Sequence, residues 1–156
     1  MKKTLFVAFL ACITMMFVSC KKEKTLNGTT WKAQIVTTED MGEDQMEATL
    51  TTTLDFTLKF IDASKASMTM TSSATATMGG QTIPIPDMNG TITSDATYTF
   101  DGEKGTLTGV DEETGKPETI PFTYNKKDNT ILFSINEKDD ETGMEYKMDL
   151  VFTEEK

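Results

Sequence analysis

The amino-acid sequence predicts an all-β protein, an eight-stranded antiparallel up-and-down barrel. Three observations lead to this prediction. Apolar residues recur at every second position in several long stretches, as on a strand with one buried face. No segment with a helical period is long enough to compete. Short and long connections alternate along the chain, as in a sheet whose successive turns lie at opposite ends.

The second predicted strand, residues 49–60, has the clearest pattern, TLTTTLDFTLKF. Leucine and phenylalanine fill one face, and threonine fills most of the other. Such threonine-rich faces suit strands, because a β-branched side chain is stiff and fits a pleated surface. Eight such strands can close into a barrel, which removes both sheet edges. The other seven are predicted at residues 31–35, 68–78, 91–100, a short piece around Leu107, 120–124, 131–135 and 144–152.

The connections between these strands predict two different ends. Tight turns are expected at residues 62–64, 101–104 and 126–129, and long loops at residues 38–46, 79–90, 110–117 and 137–142. We expect the long loops to form the mouth of the barrel and the tight turns its floor. Within the second long loop, Pro84 and Pro86 lack an amide donor, so this segment is expected to be an extended flap that pairs with no strand.

Residues 1–19 are predicted to be a lipoprotein signal peptide. Lys2 and Lys3 precede an apolar run at residues 5–18, which is shorter than the roughly 20 residues that span a bilayer. The sequence FVSC ending at Cys20 resembles a bacterial lipobox, in which cleavage occurs before a cysteine that carries acyl chains such as palmitate. Two or more acyl chains give a stable anchor. The alternative is an ordinary secretory signal with an incidental cysteine.

The predicted mature chain therefore has a lipid-anchored tether at residues 20–28 and a barrel at residues 29–154. Its expected location is the cell envelope, on the outer membrane, with the periplasmic and the surface-exposed face both open. Cys20 supplies the predicted contact with the membrane.

Composition excludes several classes of function. The chain has no histidine, and Cys12 and Cys20 both precede the predicted barrel, which excludes Ser-His-Asp and Cys-His catalysis and imidazole or thiolate metal sites. We expect no enzyme activity, no cofactor and no metal. The formal charge changes from -10 to -12 when Lys2 and Lys3 are removed, and a chain this acidic repels nucleic acid.

The segment LNGTTWKA, residues 26–33, resembles the entry to the first strand of lipocalins, where a glycine shortly precedes a tryptophan. With the lipobox, the eight strands and TYTFDGEKGTLTG at residues 97–109, the chain resembles small lipocalin-like lipoproteins of Gram-negative bacteria. The resemblance implies that Trp31 closes the floor of the barrel. The spacing from Gly28 to Trp31 is one residue longer than in lipocalins. The arginine that lipocalins stack on this tryptophan is absent, because every basic residue here is lysine.

Small residues on the inner faces of the third and fourth strands predict an apolar pocket near the mouth. The chain is expected to bind a small apolar molecule there, neutral or cationic, because the mouth loops are acidic and disfavour anions. The candidate contacts are Met68, Met70, Ala74, Ala76, Met78, Met88, Ala96, Tyr98, Tyr146 and Met148. The alternative is a structural or protein-interaction lipoprotein, whose packed barrel presents its acidic loops to a partner.

The charges of the two ends also predict an orientation. Turn residues Lys65, Lys104, Lys126 and Lys127 would face an anionic membrane, and the acidic mouth would point outward. The acidic loops lack the spaced D-x-D-x-D-G pattern that brings several oxygens onto one calcium ion, so calcium binding is not expected.

Overall fold

The computed structural model describes residues 24–42, 48–110, 115–138 and 145–156, which form one antiparallel sheet closed into a barrel. The predicted signal peptide, Cys20 and the acidic segments 43–47, 111–114 and 139–144 lie outside the described residues. The strands are β1 (Thr30–Asp40), β2 (Ala48–Phe60), β3 (Lys65–Met78), β4 (Gln81–Pro84), β5 (Gly90–Phe100), β6 (Lys104–Val110), β7 (Pro117–Asn125), β8 (Thr130–Lys138) and β9 (Glu145–Glu154).

The strand order confirms the predicted fold. Neighbouring strands run β2-β1-β9-β8-β7-β6-β5-β3, and pairing of β2 with β3 closes the barrel with eight strands. The ninth strand, β4, pairs only with β3 at the rim. The tight turns at residues 61–64, 101–103 and 126–129 lie at one end, together with the start of β1 and the end of β9, because every pairing is antiparallel.

The core fills the end of the barrel that carries the tight turns. It contains Leu26, Trp31, Ala33, Leu58, Phe60, Ala66, Tyr98, Leu107, Phe122, Tyr124, Ile131, Phe133, Leu150 and Phe152. Aromatic rings meet edge to face or tilted, with centroids 4.6 Å apart between Phe60 and Tyr98 and 5.5 Å apart between Phe133 and Phe152. These geometries match the ring quadrupole. Phe56, Tyr98 and Phe152 point inward, as the alternation predicts.

Three ladders of the barrel are short, and all three are confined to the packed end. β1 pairs with β9 at only two positions, β5 with β6 at four, and β7 with β8 at four. Beyond these pairings the wall separates into three blades: β1, β2, β3 and β5 form the first blade, β6 and β7 the second, and β8 and β9 the third. We call the packed end the floor half and the separated end the open half.

The predicted flap is wrong in one respect, because part of it is a strand. Gly79 and Gly80, with φ of 56° and 80°, form a two-residue turn that folds Gln81–Pro84 back onto β3. Pro84 is tolerated because it ends this rim strand. After a 3-10 turn at Pro86–Met88, the chain returns to β3 as β5.

The end of the predicted tether is also part of the fold. Leu26 is 1% exposed and belongs to the core. The Gly28 amide donates to the carbonyl of Phe60 at 2.9 Å, and the Phe60 amide donates to the carbonyl of Thr29 at 2.9 Å. Residues 24–28 are therefore packed against the barrel rather than forming a free linker.

Candidate functional site

The inner face of the first blade is a regular grid of apolar and small side chains, because paired residues in a ladder share a face. Nearest the floor half, Ala33, Phe56, Met70 and Ile92 lie side by side across β1, β2, β3 and β5. The next set toward the mouth contains Ile35, Leu54, Ser72 and Gly90. Nearer the mouth, Leu50, Ala76 and Ile83 are aligned across β2, β3 and β4.

Several of these inward-facing apolar side chains remain exposed. Ile92 is 51% exposed, Met78 47% and Met148, on the inner face of β9, 42%. In the floor half, by contrast, Trp31 and Phe60 are fully buried. The open half therefore presents an accessible apolar inner surface, since its blades separate before their side chains can meet.

The predicted ligand contacts divide between the two halves. Met70, Ala76, Met78 and Met148 lie on the inner surface of the open half, and Met88 is exposed in the 3-10 turn. Met68 and Ala96 pack against the core instead. The side chain of Tyr146 lies outside the described part of the chain.

Tyr98 does not supply the polar group that we predicted for the pocket. Its hydroxyl donates to the backbone carbonyl of Asp62 at 2.7 Å, at the floor end. Burial, together with the nearby Asp62 charge, raises the pKa of the Tyr98 phenol. Tyr98 is therefore a core residue with a satisfied hydroxyl.

Ala74 is 2% exposed because the segment after β4 closes against β3 at this point. The Ala74 amide donates to the side-chain oxygen of Asn89 at 3.1 Å, and its carbonyl accepts from the Ile85 amide at 2.9 Å. The Ser72 hydroxyl donates to the carbonyl of Met88 at 3.1 Å. These bonds fix the 3-10 turn at the rim of the open half, and they also remove Ala74 from the accessible surface.

Sequence reasoning missed Ile92, Ile35 and Leu54 as site residues. The signal was present for Ile92, which has the same alternation as Ala96 on the same strand. What alternation does not give is height along the barrel, which follows from the pairing of Ile92 with Met70.

A cation closes the floor beside Trp31. The ammonium of Lys24 lies 4.9 Å from the ring centroid of Trp31 and 4.9 Å from that of Tyr124, and the two rings meet edge to face at 6.1 Å. Lys24 also donates to Asn129 Oδ1 and, at 2.9 Å, to Glu154 Oε2. A lysine thus provides the cation that an arginine provides in lipocalins.

The residues around Lys24 form a connected polar network. Asn129, with φ of 51° in a tight turn, accepts from the Tyr124 hydroxyl at 2.9 Å and donates to Glu154 at 2.8 Å. Partial burial alone lowers the pKa of Lys24, but hydrogen bonds with Glu154 and Tyr124 outweigh it, so the net pKa is raised. Hydrogen bonds from Asn129 and Lys24 lower the pKa of Glu154. Both groups are therefore charged near neutral pH.

Four surface clefts of the described residues lie away from the inner face of the open half. The largest, about 630 Å³, lies beside the turn of Lys126 and Lys127. Another, about 450 Å³, follows the line where β6 leaves β5 and includes Ala96. Of the predicted ligand contacts, only Ala96 and Tyr98 line any of these four clefts.

Within the described ranges, no three acidic, cysteine or histidine side chains are grouped so that they could hold a metal ion. Among the same residues, no helix has the length and apolar character needed to cross a bilayer.

Comparison with protein-family models, with curated proteins and with solved structures gives no significant match to this chain. The likeness to lipocalins is therefore one of motif and barrel architecture.

Proposed function

We propose that this chain is a lipid-anchored protein of the cell envelope, and that the open half of its barrel binds a small apolar molecule, neutral or cationic. The observation that carries the proposal is the exposure of inward-facing side chains, above all Ile92 at 51% and Met148 at 42%. Covering such surface is favourable by about 25 cal/mol per Å². A ligand seated between the blades would cover it without displacing the packed floor half.

The distribution of side-chain volume supports the same proposal. The inner face of β3 changes from Met68 and Met70 near the floor to Ser72 and Ala76 near the mouth, and β5 ends in Gly90. Space therefore increases toward the mouth. Methionine gives the lining an adaptable surface, as suits a site for apolar guests. The role we propose is binding without catalysis.

We expect the double substitution Ile92→Ser and Met148→Ser to weaken binding of the neutral fluorescent probe N-phenyl-1-naphthylamine about ten-fold. Loss of apolar contact from two side chains corresponds to about 1.4 kcal/mol at this fold-change. The measurement is a fluorescence titration of the purified chain carrying Cys20→Ser, which keeps the whole barrel sequence and removes the lipid.

The matched control is the double substitution Val36→Ser and Val151→Ser. These valines are 54% and 49% exposed but alternate with inward residues, so they lie on the outer face. The control should bind the probe as the parent chain does. Equal weakening by both doubles would place the probe on the outside and contradict the proposal.

A packed barrel that presents its rim to another protein is the second candidate. The observation that favours it is the rim itself, where Ile83 is 53% exposed and Met88 44% exposed next to a fixed 3-10 turn. Failure of the parent chain to bind any apolar probe would favour this candidate over a ligand site.

The anchoring part of the proposal is supported by the position of Lys24. Because Lys24 is held at the floor, the four-residue step back to Cys20 extends at most about 14 Å. A lipid on Cys20 would keep the floor close to the membrane. The lysines of the tight turns, Lys65, Lys104, Lys126 and Lys127, would then approach an anionic headgroup surface.

Cys20→Ser is expected to abolish incorporation of labelled palmitate and to move the protein from the membrane fraction to the soluble fraction. The matched control is Cys12→Ser, which changes the only other cysteine and should leave the label in place. Metabolic labelling followed by fractionation measures both. Labelling that persists in the Cys20→Ser chain would contradict lipidation at this residue.

A further inference from the structure

The lysines of the barrel wall are distributed on one side only. Lys32, Lys59, Lys65, Lys104 and Lys147 each alternate with inward-facing residues and therefore point outward. These five include every strand lysine whose side chain the structure describes. The described inner face therefore contains no ammonium group above the floor network of Lys24.

Carboxylates, in contrast, do occur on the inner face near the mouth. Glu39 lies on β1 opposite Leu50, in the same inward set as Ala76 and Ile83. Glu118 lies on β7 opposite Gly109, on a different blade. Both glutamates are exposed, and both stand toward the mouth end of their strands. The apolar inner surface thus ends at two negative charges.

The apolar surface is long and narrow. From Met70 to Ala76 the inner face of β3 extends about 20 Å at about 3.3 Å per residue. Ser72 and Ala76 on β3 are smaller than Leu54 and Leu50, their partners on β2. The resulting depression is about one strand spacing wide, roughly 4.8 Å. This shape fits one extended alkyl chain.

We propose that the open half binds a single-chain cationic amphiphile, with its alkyl chain along the inner face of β3 and its cationic head between Glu39 and Glu118. This inference rests on the proposed apolar binding site and adds its charge selectivity. A cationic head finds opposite charge at the mouth, whereas an anionic head finds like charge and no inner-face ammonium to pair with it. The polarity of the inner face therefore sets both the class and the direction of the ligand.

The test compares three probes with the same alkyl chain: dodecyltrimethylammonium, dodecyl maltoside and dodecanoate. Each displaces N-phenyl-1-naphthylamine from the Cys20→Ser chain at low ionic strength and below its micellar concentration. We expect the cationic probe to bind at least about ten-fold more tightly than dodecanoate. The double substitution Glu39→Gln and Glu118→Gln should lower the affinity for the cation to that of the neutral probe, and should leave the neutral probe unchanged.

The control is Asp55→Asn with Asp95→Asn, which removes the same net charge from the outer faces of β2 and β5. This pair should leave the preference for the cation intact. An equal effect of the two doubles would assign the preference to net charge and overturn the inference. Binding of all three probes without preference would also overturn it while leaving the apolar site in place. No binding of any probe would overturn both.

Discussion

Trp31→Ala is expected to lower the free energy of unfolding by about 3–5 kcal/mol, as large-to-small changes of buried aromatic residues do. Trp31 is fully buried, lies edge to face with Tyr124 and carries the Lys24 ammonium 4.9 Å from its ring centroid. Its indole nitrogen donates to the Thr29 hydroxyl at 2.7 Å. Removing the ring leaves a cavity and deprives both contacts of their partner.

Closure of the barrel depends on the same residue. β1 pairs with β9 only through Trp31 and Lys32, opposite Glu154 and Thr153. A cavity at Trp31 therefore weakens the shortest ladder of the wall as well as the core. We expect the loss to exceed that of a half-buried aromatic residue such as Phe56.

Denaturant unfolding followed by far-ultraviolet circular dichroism measures this effect without relying on tryptophan fluorescence. Trp31→Phe should recover part of the loss, because it restores most of the volume and an aromatic face but no N–H donor. Val36→Ala, at an exposed outer position, should change stability by no more than about 0.5 kcal/mol. A cost below about 1 kcal/mol for Trp31→Ala would show that the floor is not the main source of stability.

The strands could be predicted because alternation is a local signal. Residues 49–60 were expected as a strand, and β2 is Ala48–Phe60, with the predicted inner face turned inward. The tight turns were also predictable. Asp62 accepts from the amides of Ser64 and Lys65, and these bonds lower the pKa of Asp62, as a short polar turn residue would.

The β4 hairpin was missed because the prolines outweighed the turn signal. Gly79 and Gly80 separate Met78 from Gln81 by two residues, which is the length of a tight hairpin turn. The amide of Asn89, not a backbone group, then accepts the hydrogen bond from Ala74 where the ladder is interrupted. A side-chain substitution of this kind leaves no periodic trace in the sequence.

The floor network and the open half could not be predicted because both depend on distant pairing. Lys24 meets Asn129 and Glu154, which are 105 and 130 residues away in the chain. Alternation assigned Met70 and Met148 to the inner face correctly. It gave no reason to separate them from Tyr98, because the lengths of the ladders decide where the blades part.

Gly105→Ala is expected to destabilise the barrel by about 2–3 kcal/mol, or more if the neighbouring strand cannot move. A Cβ at Gly105 would lie 2.2 Å from the Phe122 ring and 2.4 Å from the carbonyl oxygen of Thr99. The ring can turn only into Phe100, which stacks on it at 6.0 Å, and the carbonyl belongs to the backbone of β5. The clash must therefore shift a strand.

Gly109→Ala provides the matched control on the same strand and the same inner face. Nothing lies within 4 Å of a Cβ at Gly109, because β6 has left β5 by this point. Neither glycine has a positive φ, so alanine adds no backbone strain at either site. We expect Gly109→Ala to be neutral or to stabilise by up to about 1 kcal/mol. Denaturant unfolding of the pair measures the contrast, and equal stability of the two variants would mean that the wall is no tighter in the floor half than in the open half.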